Sequence, residues 1–211
     1  MLKKHSIVIA LLLAFMLLAI AVDKYPGGSP VNKYSVGFDF QNNYLCNLFD
    51  VHAENGAVNA ARNFAILGMF FLCSGFALFF LNMSKKIPVK NASAIIKYAG
   101  IVSMLLGFLI VTPFHDAFLS FAGLLAFISI ISIVIYVMKT KLVLFKILSI
   151  LCLMVFFICN AVYYSRVLIN WLPILQKTGL ILSIIWMLGL NYFTNERDFS
   201  NEDTLLPTIN H

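Results

Sequence analysis

Charge is what this sequence has least of. Asp, Glu, Lys and Arg supply 11% of its 211 residues, against 61% for apolar side chains, whereas a soluble domain carries roughly 25% charge. A water-facing globule of this size would lack the charged groups to cover its surface. Soluble enzymes and soluble binding modules are excluded together, and so is disorder. Acidic residues are scarcer than basic ones, 9 against 15, for a net charge of +6. That excess would suit nucleic acid if it formed a basic stripe with interleaved aromatics. It does not: the lysines sit in short clusters between apolar runs, so no nucleic-acid partner is expected.

Cysteine is also sparse. The four present show no C-x-x-C or zinc-type spacing. Cys73, Cys152 and Cys159 lie within apolar runs, where a free thiol packs as a small hydrophobe. Cys46 stands alone in a loop. There is no H-E-x-x-H, no Gly-rich phosphate loop, no serine-hydrolase elbow and no haem motif. No carboxylate falls in the middle of an apolar run, and no paired broken helices or filter loop are visible. Those absences speak against a transporter or channel.

What the chain does have is six long apolar runs, at 6–22, 64–81, 94–111, 117–138, 142–163 and 173–193. A bilayer core about 30 Å thick needs roughly 17 to 25 such residues per helix. The expected fold is therefore all-α: a polytopic membrane bundle of six transmembrane helices. A long extracytoplasmic loop, 23–62, follows the first of them. The bundle with this cap loop spans 1–193, and 194–211 is expected to be a mobile, polar cytoplasmic tail. The first run also has the look of a secretory signal, with Lys3-Lys4 before it and Ala19-Ile20-Ala21 near its end. It is long for a signal core, and it is expected to be retained as a helix.

Orientation follows the basic residues. With the N-terminus inside, Lys3, Lys4, Lys85, Lys86, Lys90, Lys97, Lys139, Lys141, Lys146 and Arg197 are cytoplasmic; Lys24, Lys33, Arg62, Arg166 and Lys177 lie opposite. The expected location is the inner (plasma) membrane with both termini cytoplasmic. Short connections, such as Lys139-Thr140-Lys141 and the Pro113-Phe114-His115-Asp116 turn, are expected to make successive helices neighbours.

Polar groups collect toward the outer end. The loop opens Tyr25-Pro26-Gly27-Gly28, which is turn chemistry, and continues with Tyr34, Phe38, Phe40, Tyr44 and Phe49 among Asn42, Asn43, Asn47, Asp50, His52 and Glu54. A folded cap is expected from that mixture. Asp50, His115 and Asp116 are the candidate catalytic residues, as an acid–base set. His52, His115 and Asp116 are the candidate ligands of a divalent metal, since zinc takes imidazole nitrogen and carboxylate oxygen; no other cofactor is expected. The plainer alternative has Asp116 capping helix four. Asn47, Arg62, Asn160 and Tyr164 are candidate ligand-binding residues. Arg62 is expected either to fork onto a phosphate or to pair with Asp50 or Asp116. Asn160, four residues before Tyr164, is expected to bond across helices or to touch a ligand. Gly68 and Gly75, and Gly100 and Gly107, mark packing seams.

Taken together, Tyr25-Pro26-Gly27-Gly28, Asn43-Tyr44-Leu45-Cys46-Asn47-Leu48-Phe49-Asp50, Asn59, Arg62, Pro113-Phe114-His115-Asp116, Gln176 and Trp186 resemble the six-helix prokaryotic membrane family called domain of unknown function 998, over 23–192. The resemblance implies the six-helix architecture; that family has no settled activity. The functional expectation is an inner-membrane protein that binds a membrane lipid, or a membrane or periplasmic protein, through its polar cap. The alternative is a membrane-embedded lipid hydrolase or transferase using Asp50, His115 and Asp116 with a metal.

Overall fold

The computed structural model describes residues 2–112 and 114–200, with side chains from His5 onward. Pro113, read above as part of a turn, and residues 201–211 of the expected tail lie outside the described residues. Six α-helices form: α1 Leu2–Lys24, α2 Arg62–Lys86, α3 Lys90–Phe108, α4 His115–Lys139, α5 Val143–Ser165 and α6 Leu172–Phe193. All six are long and apolar enough to cross a membrane. Short 3-10 turns sit at Leu45–Phe49, Leu109–Val111, Ile169–Trp171 and Glu196–Asp198. No β-strand occurs among the described residues; two isolated bridges, Gly27 with Val36 and His52 with Val58, pin turns in the cap.

The helices run past their apolar runs. In α2 the run ends at 81 but the helix continues through Lys85 and Lys86, because long cationic side chains can reach outward while the backbone ladder carries on. Glycine brings the first three helices close. A Cβ on Gly68 would lie 2.9 Å from Leu18, and one on Gly75 would lie 3.4 Å from Leu11, so α1 lies directly on the α2 backbone. Gly100 of α3 receives the ring of Phe80, which is almost wholly buried. Phe79, Met83, Ile96, Ile133, Val137, Met187 and Leu190 complete a core shared by α2, α3, α4 and α6.

Successive helices are neighbours, as expected, but they are not equally close. α4 and α5 pack sparsely, meeting through side chains such as Phe127, which stacks on Phe156 at 5.6 Å. α5 leans on α6 instead. The indole Nε1 of Trp186 donates to the Ser149 hydroxyl at 2.8 Å, and Gly189 admits the Phe145 ring. A buried indole N–H must find an acceptor, and Ser149 supplies one only on α5. α6 in turn meets α2, where the Asn82 amide donates to Asn191 at 3.1 Å.

The tail is anchored further along than expected. Lys86 Nζ donates to the carbonyls of Leu190, Asn191 and Thr194 at 2.9, 2.9 and 2.8 Å. The last carbonyls of a helix have no partner within it, and a cation there also opposes the negative end of the dipole. Phe199 then folds back into the main core, 5% exposed. Lys86→Met should therefore lower thermal stability by about 1–2 kcal/mol, the worth of charge-assisted bonds to carbonyls left bare. A melting curve unchanged from wild type in the same detergent would show that α6 does not depend on this cap.

Candidate functional site at the cap end

The cap grows from asparagine chemistry. An amide side chain offers two donors and an acceptor, so a buried Asn can tie three strands of irregular backbone. Asn59 does this most fully. Its Nδ2 donates to the carbonyls of Asn47, Leu48 and Asp50 at 3.2, 3.2 and 2.9 Å, and its Oδ1 accepts from the Ala61 amide at 3.1 Å. Asn43, fully buried, accepts from the Asp39 amide at 2.8 Å and donates to the Gly28 carbonyl at 2.9 Å. Gly28 has φ +84, and a Cβ there would collide with the Asn55 backbone, so this turn admits only glycine. Tyr25, Leu48, Phe49, Ala53, Ala61 and Ala65 form a small core beneath the loop. Burial holds the Tyr25 phenol above its ordinary pKa, so it stays neutral, accepting from the Glu54 amide at 3.1 Å.

Two helices seat the cap. Gln176 of α6 accepts from the Leu45 amide at 3.0 Å, and Lys177 donates to the Asn43 carbonyl at 2.6 Å. On α2, Arg62 Nε donates to the Phe49 carbonyl at 3.0 Å. Arg62 does not form the expected ion pair with Asp50 or Asp116. It pins the cap, as expected, but through a backbone oxygen; the ion pairs among the described residues are Lys24 with Asp23 and His115 with Asp116. Asn47 is likewise a structural residue. Its Oδ1 accepts from the Tyr44 amide at 2.7 Å and its Nδ2 donates to Glu54 at 3.0 Å. Asn160 donates at 2.8 Å to the Phe156 carbonyl one turn back on its own helix, and it makes no bond across helices among the described residues.

A different constellation stands where α4 begins and α5 ends. Asp116 lies in the first turn of α4, where a carboxylate complements the helix dipole. It does not cap the helix: Phe114 holds the N-cap position without a side-chain bond. Asp116 Oδ1 accepts from the Tyr163 hydroxyl at 2.9 Å and lies 3.0 Å from His115 Nδ1. Ser120 donates to the Asp116 carbonyl at 2.9 Å and meets the Tyr164 hydroxyl at 3.2 Å. The Arg166 guanidinium sits over the Tyr163 ring, 5.1 Å from its centroid. Ser120 and the bridging role of Tyr163 were not foreseen. Spacing along one helix cannot reveal which residues of another face it.

Of the candidate acid–base set, His115 and Asp116 touch each other, and Asp50 lies within electrostatic reach of His115 and Arg62. His52 is held in the bridge with Val58 at the cap surface. Among the described residues no group of three or more His, Cys, Asp or Glu is placed to hold a metal ion. Burial pushes the Cys46 thiol up to about 12, so it stays protonated and is no nucleophile. Asp50 reaches the surface, but partial desolvation of its carboxyl raises it above its usual range, more than Asn47, His115 and Arg62 lower it. A carboxyl whose folded pKa is raised binds its proton more tightly folded than unfolded. Its stabilising effect is complete at acid pH, below both values, and is lost as pH rises between them. Asp50→Asn should therefore raise thermal stability near pH 7, with the gain shrinking toward zero as pH falls through the carboxylate range. A loss of stability at neutral pH would mean that the charge is needed where it stands.

No family model, curated protein or solved structure matches this chain.

Proposed function

We propose that this chain is a multi-pass protein of the inner membrane that binds phospholipid at its cap end, with both termini cytoplasmic. The lysines of 85–86, 139 and 141 gather at the helix ends away from the cap, which supports a cytoplasmic position for those ends. The six-helix plan is also what the resemblance to the domain of unknown function 998 family implies. One observation carries the lipid reading. At the rim between cap and bundle the groups left open are those that suit headgroups: Asp116, Tyr164, Arg166 and Trp171 are all exposed, while the polar atoms of the cap interior are engaged within the protein. Aromatic residues with one polar edge belong at headgroup depth.

Purification in a mild detergent, exhaustive washing and mass spectrometry of retained lipid test this reading. Retained phospholipid is the expected result. A washed protein that keeps no phospholipid, or that instead carries a stoichiometric protein, would move the function to partner binding. A hydrolase or transferase reading has its own support in the His115–Asp116 pair beside Asp50. If it holds, incubation with phospholipid releases product, and His115→Ala abolishes release.

A further inference from the structure

Asp116 and Arg166 form an unusual pair: opposite charges, neighbours, and yet not joined. Both contacts of the carboxylate fall on Oδ1. Oδ2 has no partner among the described residues, and the side chain is 83% exposed. Arg166 makes no side-chain hydrogen bond or ion pair among the described residues; its guanidinium rests on the Tyr163 ring. Tyr163 thus spans the two, its hydroxyl on one charge and its ring under the other. An exposed ion pair gains little from closing, and the Tyr163 phenol engages both partners while Oδ2 and the guanidinium edge stay open.

The backbone contributes to this placement. Arg166 closes α5 in the left-handed region, φ 61 and ψ 2, and Leu168 repeats the conformation at φ 59 and ψ 28. Glycine or asparagine normally takes such a position, and other side chains avoid it. Strain of this kind persists where the surroundings demand it and clusters at ligand clamps. Around the pair stand Phe114, Tyr164, Val167, Leu168 and Trp171, all at least 60% exposed. They form an apolar and amphipathic rim suited to the glycerol and upper acyl region.

We infer that Asp116 and Arg166, both in contact with Tyr163, bind the zwitterionic phosphoethanolamine headgroup of a phospholipid, its phosphate on Arg166 and its ammonium on Asp116. This rests on the reading that the cap end retains phospholipid, and it names the headgroup. A guanidinium fork matches phosphate oxygens. The free Oδ2 can accept from a primary ammonium. A purely anionic headgroup would meet the Asp116 charge. A choline headgroup has no N–H to give, so it would leave the open Oδ2 acceptor unmatched.

The full chain, purified and exposed to vesicles of equal phosphatidylethanolamine, phosphatidylcholine and phosphatidylglycerol, should retain the ethanolamine lipid in excess. Asp116→Asn and Arg166→Gly should each cut that enrichment by roughly fivefold, a charge-assisted bond discounted for exposure to water. Arg166→Gly should at the same time raise Tm, since glycine takes the left-handed turn without strain. Loss of selectivity with a gain in stability cannot come from misfolding. Phospholipid retained without headgroup preference, or with a preference both variants keep, overturns this inference and leaves the lipid reading standing. No retained phospholipid overturns the lipid reading. If free phosphoethanolamine then still binds, and binding is lost in both variants, the headgroup chemistry stands and its source is soluble.

Discussion

Replacing Asn59 by aspartate should unseat the cap, lowering stability by about 3 kcal/mol or more. The substitution keeps the size and shape of the side chain and removes both of its N–H donors. Three carbonyls, of Asn47, Leu48 and Asp50, then face a carboxylate oxygen where they had an amide. Each buried acceptor left without a donor costs roughly 1–3 kcal/mol, and Asn59 is 5% exposed, so little water can substitute. Protonation of the new acid would restore one donor, so the defect should ease at low pH. The readout is local: protease cleavage within 25–61 and alkylation of Cys46 should both accelerate while the helices stay intact by circular dichroism. Cleavage and alkylation at wild-type rates would mean that the cap is held by its seat on α6 and not from within.

Gly100→Leu should separate α2 from α3, at the upper end of the roughly 1–3 kcal/mol that overpacking costs. Even a single methyl at Gly100 would overlap the Phe80 ring and its Cβ. Phe80 is 2% exposed and packs against Phe79, which in turn lies edge-on to Trp186. The ring therefore has no empty space to move into, and the clash is passed on to α6. Gly123→Leu supplies the comparison. Nothing lies within 4 Å of that position, so the same change on an outward helix face should be neutral or slightly stabilising, since leucine is the better helix former. Equal melting temperatures for the two variants would contradict close packing at the α2–α3 seam.

The helices were legible in the sequence because a long apolar run has few other uses, and each of the six runs lies within, or within a residue or so of, a helical stretch that includes its 3-10 extensions. The glycine seams were legible for a related reason. A glycine in a helix is unfavourable unless something must come close, and Leu18 and Phe80 do. The side-chain roles were harder to read. Arg62 looked like half of an ion pair because charge is the obvious property of arginine, yet its bond is to the Phe49 carbonyl. The bonds of Asn47 and Asn160 to the backbone were not legible, because composition does not show which backbone groups lack a partner. Phe199 was read as part of a polar tail because one aromatic among charges leaves no periodic signal, although it fills the core beside α6. Patterns along the chain register burial well. They register poorly which of many possible acceptors a given donor will find.

The seat of the cap also bears on how the chain is made. Asn43, Tyr44 and Leu45 dock on Lys177, Ile169 and Gln176, more than 120 positions later. A ribosome delivers the loop long before it delivers that seat. Until α6 is begun the loop must rely on its own asparagine ties, on Arg62 of α2 and on the small core beneath it, and its final docking can come only once that helix has been delivered.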